Sequence, residues 1–230
     1  MPFRDPRSGV PMTRDDWLTC CDPAPMLAFV RDRATDRKLR LFACAWGRDV
    51  WRHLSDERSR DAILTAERFA DGQATFADLR AAHRDAADVC LAIPLTAGRR
   101  RDSITRRQAD RNWGAKAAAE VARHAADPEW DARTAASAVA WQKGATRYAL
   151  SNHLRDLFSP FRPAPFDPAW LTATAVALAR YAYDAGEFGA LPILADALQD
   201  AGCDNDDVLN HCRGEAAHVR GCWVLDAIGC

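Results

Sequence analysis

The sequence has no hydrophobic run long enough to cross a membrane. Its longest apolar stretch, residues 172–183, is mostly alanine and is interrupted by Arg180, whereas a membrane-spanning helix needs about 20 predominantly apolar residues. The first five residues, Met1 to Asp5, have no apolar run behind their charges, so they do not resemble a secretory signal. We therefore expect a soluble, cytoplasmic protein without a membrane partner.

Familiar catalytic motifs are also missing. The sequence contains no HExxH, DxDxDG, GxxxxGKS/T, GxGxxG or GxSxG pattern. These absences exclude the common zinc-protease helix, the EF-hand calcium loop, the glycine-rich phosphate loops and the hydrolase nucleophile elbow. No residue is therefore predicted to be catalytic, and the sequence favours a protein that is not an enzyme.

Two of the four common charged residues are scarce. Only 3 lysines accompany 28 arginines and only 6 glutamates accompany 26 aspartates, which leaves a formal net charge of -1. A charge so close to zero gives no attraction of the whole molecule to nucleic acid or to anionic lipid. Such a partner would have to bind a local patch. With 48% hydrophobic and 27% charged residues in 230, the chain is expected to be folded and globular.

Helical signals recur along the whole chain, and no segment alternates β-branched and aromatic residues over the length of a strand. One apolar face shows spacings of three and four residues: Leu39, Phe42, Trp46, Val50 and Leu54. This pattern predicts an all-α, multi-helix globular bundle of about nine to eleven helices, which could form two packed helical subdomains. The prediction includes one long alanine-rich helix that starts near Pro128 and runs to Phe158.

Four prolines fall within residues 160–168, a density that neither a helix nor a central strand accepts. We therefore predict a helical domain over residues 1–158, a proline-rich linker over 159–168 and a compact C-terminal helical unit over 169–230. The first domain is expected to contain an arginine-rich loop at residues 95–111.

The densest group of chemically active residues lies near the C-terminal end of the sequence. It comprises Cys203, His211, Cys212, His218 and Cys222. Thiolate and imidazole are the ligands that tetrahedral zinc prefers, so these five residues are the candidate metal ligands. Neighbouring residues on a helix point about 100° apart, so His211 and Cys212 would not easily serve one metal ion.

Two other interpretations of these residues stay open. The eight cysteines of a chain without an export signal are expected to be reduced, and most would pack as small apolar residues. In that case Cys203, Cys212 and Cys222 point inward, and His218 caps or hydrogen-bonds a nearby turn. The second alternative is a Cys222 nucleophile activated by His218 and oriented by Asp226, although residues four apart on one helix rarely form a recessed active site.

Residues 95–111 carry a local positive patch of six arginines against two aspartates. The arginines are Arg99, Arg100, Arg101, Arg106, Arg107 and Arg111. They could contact nucleic-acid phosphates or an acidic protein partner. The alternative is an exposed, mobile connection whose charges are solvated.

Five segments carry a resemblance to an uncharacterised family of bacterial helical proteins. They read WLTCCDPAPML (17–27), DRKLRLFAC (36–44), LPILADALQDAGCDN (191–205) and, after HCR at 211–213, HVRGCW (218–223). In such proteins the C-terminal stretch occurs both alone and at the end of larger chains. The resemblance implies a bacterial protein of a defined family, and it brings no known activity, cofactor or catalytic residue with it.

These observations favour a non-enzymatic helical module for protein interaction or regulation, with an unknown protein as its partner and no cofactor expected. One alternative is a zinc-stabilised domain built on the C-terminal cysteines and histidines. The other is nucleic-acid binding through the arginine-rich loop.

Overall fold

The computed structural model of the protein describes residues 12–94, 103–140, 142, 144–161 and 166–230. Twelve α-helices and several short 3-10 turns lie within these ranges, and none of the described residues belongs to a strand. The predicted all-α, multi-helix fold is therefore confirmed. No helix in the described part combines the length and the apolar character needed to cross a membrane.

The helices follow one another closely along the chain. They are α1 (Arg14–Thr19), α2 (Pro23–Val30), α3 (Asp36–Asp49), α4 (Glu57–Ala70), α5 (Phe76–Ala92), α6 (Ser103–Ala125), α7 (Ala132–Ala140), α8 (Ala145–Leu157), α9 (Ala173–Ala185), α10 (Leu191–Asp200), α11 (Asp206–Arg213) and α12 (Trp223–Ile228).

The helices group into two compact units. The central unit is Ala34–Ser137, and the terminal unit combines Met1–Arg33 with Ala138–Cys230. The domain division predicted around the proline-rich segment 159–168 stays a prediction, and residues 162–165 of that segment lie outside the described residues.

Side-chain caps determine where many of these helices begin. Thr13 and Thr75 each form a capping box with an aspartate three residues later, so that backbone and side chain satisfy each other's donors. Asp22 caps α2, whose first residue is Pro23, a position where proline costs no hydrogen bond. These polar residues therefore fix the register in which each apolar face meets the core.

Two predicted boundaries are wrong. The single helix expected up to Phe158 is two helices, because α7 ends at Ala140 and α8 begins at Ala145 after Gly144, whose φ of 57° interrupts helical geometry. The predicted loop at 95–111 is helical from Ser103 onward, since α6 starts there. Arginine and glutamine are good helix formers, so a cluster of arginines is compatible with a helix.

In the central unit, α3, α4, α5 and α6 pack against one another. Phe42, Ile63 and Leu79 are fully buried in this bundle. Arg40 is buried as well, and its Nη1 donates to the carbonyl oxygens of Ala125 at 3.0 Å and Asp127 at 2.9 Å. Carbonyls at a helix end lack partners within the helix, so this arginine joins α3 to the end of α6.

In the terminal unit, α9, α10, α11 and α12 enclose an apolar cluster, and α2 packs on α8. Three leucines are fully buried there, namely Leu194, Leu198 and Leu225. Between α11 and α12 the chain runs through residues 214–222 without a helix. This irregular segment therefore depends on contacts other than a helical ladder for its conformation.

Candidate metal centre

Asp156 lies in the last turn of α8, with a side chain only 3% exposed. Its neighbours Leu154 and Leu157 are fully buried apolar residues. Both burial and the negative potential of a helix C-terminus disfavour a carboxylate. An ionised Asp156 is therefore stable here only if strong donors or cations face it.

His211 is placed by α11, which begins after Asn205. The Asn205 side chain accepts hydrogen bonds from the backbone N–H groups of Asp207 and Val208, and Val208 and Cys212 are buried. Because adjacent helical residues diverge by about 100°, burying Cys212 turns His211 away from the apolar cluster. The His211 side chain is 13% exposed, and its Nε2 lies 3.1 Å from Asp156 Oδ1.

The irregular segment after α11 supplies the other two side chains. The N–H of Val219 donates to Asp156 Oδ2 at 2.8 Å, and the N–H of Cys222 donates to the carbonyl of Val219 at 3.0 Å. Gly221 closes this turn with a φ of 83°, which a residue with a Cβ adopts only under strain. The turn brings His218 and Cys222 to the same side of the segment.

Four potential ligand atoms meet at one point. One atom from each of Asp156, His211, His218 and Cys222 lies within 4.8 Å of all the others. Asp156 Oδ1 is 2.6 Å from His218 Nδ1. Cys222 Sγ is 3.2 Å from His211 Nε2 and 3.9 Å from His218 Nδ1. The four side chains could therefore hold a metal ion.

Aromatic contacts fix the two imidazole rings. The rings of His211 and His218 meet edge to face with centroids 4.9 Å apart. The His211 ring also contacts the ring of Trp223, with centroids 5.0 Å apart. Edge-to-face pairing is a favoured geometry for aromatic rings. The nitrogen atoms that face Asp156 and Cys222 are therefore held in place by packing as well as by polar contacts.

The electrostatics of the group are dominated by the carboxylate. Burial on its own would raise the pKa of Asp156, but hydrogen bonds from His211 and His218 and the attraction of both rings outweigh burial and lower this pKa to about 2. Burial raises the pKa of the Cys222 thiol well above its usual value, and the nearby Asp156 charge adds to that effect. A bound cation would reverse the second effect, because a coordinating thiol loses its proton.

Four of the six distances between the ligand atoms can be compared with those of a tetrahedral zinc site. Metal–nitrogen bonds of 2.0–2.1 Å and metal–sulfur bonds of 2.3 Å place neighbouring ligand atoms about 3.3–3.8 Å apart. The distances from His211 Nε2 to Asp156 Oδ1 (3.1 Å) and to Cys222 Sγ (3.2 Å), and from Cys222 Sγ to His218 Nδ1 (3.9 Å), lie near this range. The 2.6 Å contact between Asp156 Oδ1 and His218 Nδ1 would lengthen by less than about 1 Å on metal binding. Small side-chain rotations would therefore accommodate an ion.

Three of the five metal ligands predicted from the sequence come together in this group, namely His211, His218 and Cys222. All three cysteines, Cys203, Cys212 and Cys222, pack in the apolar cluster of the terminal unit, but only Cys222 also belongs to the converging group. All eight cysteines are free thiols. The expectation that His211 and Cys212 would not share one site agrees with this arrangement.

Sequence reasoning missed Asp156. The carboxylate considered for the catalytic alternative was Asp226, which does not belong to the converging group. Asp156 precedes His218 by 62 residues, and no spacing rule links the two. The one available signal is local, because Asp156 lies between the apolar residues Leu154 and Leu157 in the last turn of a helix, where a carboxylate is disfavoured.

The six arginines of the predicted arginine-rich loop are not placed in a site by the described residues. Arg99, Arg100 and Arg101 lie outside the described residues, and the backbones of Arg106, Arg107 and Arg111 belong to α6. Their predicted contact with a polyanion or an acidic partner stays a prediction.

Comparison with known proteins finds no match: no family profile, no curated protein and no solved structure matches this chain. Any functional conclusion therefore depends on the geometry of the site itself.

Proposed function

We propose that the protein is a zinc-binding helical module in which the ion joins α8 to α11 and to the irregular segment 214–222. The observation that carries the proposal is the convergence of one oxygen, two nitrogen and one sulfur atom within 4.8 Å. Its ligands would be Asp156, His211, His218 and Cys222.

The donor set favours zinc over the common hard cations. Magnesium and calcium take six or more oxygen ligands, whereas this group offers a single carboxylate oxygen beside imidazole and thiol. Zinc accepts carboxylate, imidazole and thiolate ligands, and a structural zinc site has four ligands in total. The Asp156 carboxylate and a Cys222 thiolate also balance the two positive charges of the ion, so the buried centre is neutral overall.

A structural role for the ion fits best. Four protein ligands complete the tetrahedral coordination, whereas a catalytic zinc keeps one position for water or substrate. Asp156 Oδ2 accepts a hydrogen bond from the Val219 backbone N–H at 2.8 Å. Metal-binding carboxylates are commonly oriented by such a second hydrogen bond. The module is then expected to bind a partner rather than to catalyse a reaction, and specific turnover by the purified protein would contradict this part.

An ion-pair cluster without metal is the competing explanation. It accounts for Asp156 and the two histidines, since a buried carboxylate needs positive or donating neighbours. In that explanation Cys222 is an apolar packing residue, since it is fully buried in the apolar cluster of the terminal unit, and its sulfur lies 3.2 Å from His211 Nε2 without a metal between them. A thiol in an ion-pair cluster is replaceable, whereas a metal ligand is not.

The test is therefore a matched pair of cysteine variants. The chain is purified in zinc-containing buffer, dialysed and analysed for bound metal. We expect about one zinc per chain for the wild type and for Cys212→Ala, whose sulfur is buried in the apolar cluster. Cys222→Ala and His218→Gln should each lower the affinity for zinc by about 10-fold or more, because each removes a ligand and loss of a ligand's hydrogen-bond partner alone costs about 10–100-fold. Less than about 0.2 zinc per wild-type chain would overturn the proposal.

A further inference from the structure

The four candidate ligands differ in how far solvent reaches them. Cys222 is fully buried, and the side chains of Asp156 and His218 are 3% and 6% exposed. The His211 side chain is 13% exposed, more than any of the other three. Solvent therefore reaches the group most easily at His211.

A groove of about 200 Å³ leads to the same residue within the terminal unit. His211 and Asp156 line this groove, whereas His218 and Cys222 do not. A cavity of about 150 Å³ holds benzene, so the groove has room for an imidazole ring or for a small chelating molecule. A metal site also needs an entry path, and this groove provides one.

The backbone of the irregular segment holds the other three ligands. Asp156 Oδ2 accepts from the N–H of Val219 at 2.8 Å, and the N–H of Cys222 donates to the carbonyl of Val219 at 3.0 Å. His218 Nε2 is buried, so protein covers this ring on the side that faces away from Asp156. Displacing one of these ligands would disturb the segment, whereas His211 would leave an ion by turning its ring into the groove.

The coordination chemistry of zinc allows such a replacement without a bare ion in the protein interior. Zinc has no geometric preference from its d electrons and expands from four ligands to five in some transition states. A donor atom that arrives through the groove would bond to the ion while the bond to His211 Nε2 breaks. The lone pair of Nε2 stays on the nitrogen, and the ion remains Zn²⁺ throughout.

We propose that zinc is loaded and released through this groove while the protein stays folded, and that a small nitrogen- or sulfur-donor molecule carries the ion and replaces His211 during the transfer. This inference rests on the zinc centre proposed above. The ion is then held by three buried ligands and exchanged at the fourth, so its occupancy follows the supply of zinc.

The first test follows the transfer of zinc from the loaded protein to pyridylazoresorcinol, a chelator that changes colour when it binds zinc. The rate should rise with chelator concentration, because the chelator enters the coordination shell before His211 leaves. Ala216→Trp should slow the transfer several-fold by filling the groove. Ala217→Trp should not, since Ala217 is equally exposed but does not line the groove.

The opposite result would identify a different route. A transfer rate that is independent of chelator concentration, or equal rates for Ala216→Trp and Ala217→Trp, would mean that zinc leaves by opening of the segment 214–222. Either outcome overturns the inference.

A matched pair of histidine variants provides the second test. His211→Ala and His218→Ala each remove one imidazole ligand. Added imidazole should restore zinc binding to His211→Ala, because the groove leads to the vacated position. It should not restore zinc binding to His218→Ala, because that position is more deeply buried and does not line the groove. Restoration of both variants, or of neither, would contradict the role of His211.

The zinc content of the loaded wild type separates the two proposals. Stoichiometric zinc together with chelator-independent release refutes the exchange route alone. Zinc far below stoichiometry refutes the metal centre, and the exchange route with it.

Discussion

Replacing Asp156 by asparagine is the sharpest test of the polar cluster, because it keeps the size of the side chain and removes its charge. The pKa of Asp156 lies at about 2 in the folded protein against its usual 3.8. With about 1.4 kcal/mol per pKa unit, folding favours the ionised carboxylate by about 2–3 kcal/mol. Asparagine loses this contribution even in metal-free protein.

If zinc binds as proposed, it adds a second contribution to the same difference in stability. A ligand present at 100 times its Kd stabilises the folded state by about 2.7 kcal/mol, and Asp156→Asn removes the anionic oxygen ligand on which that binding depends. The expected loss in zinc-containing buffer is therefore about 4–6 kcal/mol. For a unit of this size it corresponds to a decrease in Tm on the order of 10–20 °C.

The assay is thermal and urea unfolding followed by circular dichroism, with zinc and with a chelator. Asp196→Asn is the matched control, since Asp196 pairs with Arg213 at 2.6 Å but is 70% exposed, and exposed pairs contribute at most about 1 kcal/mol. If Asp156→Asn unfolds like the wild type in chelator, the electrostatic reasoning is wrong. If zinc stabilises this variant as much as the wild type, Asp156 is not a ligand.

Three further predictions concern the spectrum, the pH dependence and the central unit. Cobalt(II) in place of zinc should give intense visible bands of tetrahedral coordination and a thiolate charge-transfer band in the near ultraviolet; a spectrum that Cys222→Ala leaves unchanged would exclude sulfur ligation. In chelator, the lowered pKa of Asp156 makes its stabilisation complete above about pH 4 and lost as the pH falls towards 2, so urea midpoints of the wild type should decrease over that interval more steeply than those of Asp156→Asn. Arg40→Met retains an unbranched side chain but leaves the carbonyls of Ala125 and Asp127 without this donor, so unfolding free energy should fall by about 2–4 kcal/mol; a change below about 0.5 kcal/mol would show that water replaces the guanidinium without cost.

The sequence was sufficient for the fold class because its signals are local. Leu39, Phe42 and Trp46 of the predicted apolar spacing are buried in α3, although this helix ends at Asp49, before the predicted Val50 and Leu54. The polar residues before α1, α2 and α5 cap these helices as their types suggest. The errors are also local in origin. Gly144 adopts a positive φ that an alanine-rich periodicity does not reveal, and arginines read as a loop signal are compatible with the first turns of α6.

The candidate metal centre was only partly predictable for a different reason. His211, His218 and Cys222 are close in sequence, so their density could be seen without a fold. Asp156 comes from a helix 62 residues before His218, and its partners depend on how the irregular segment 214–222 returns to α8. The five-residue candidate set contains no oxygen ligand for this reason. It includes Cys203 and Cys212 because the sequence alone does not distinguish a cysteine that packs in the core from one that binds a metal.

The segment 214–222 contributes His218 and Cys222 to the candidate centre and has no helical hydrogen-bond ladder of its own. If zinc binds there as proposed, the order of this segment should depend on the metal, because three of the four ligand side chains lie in or next to it.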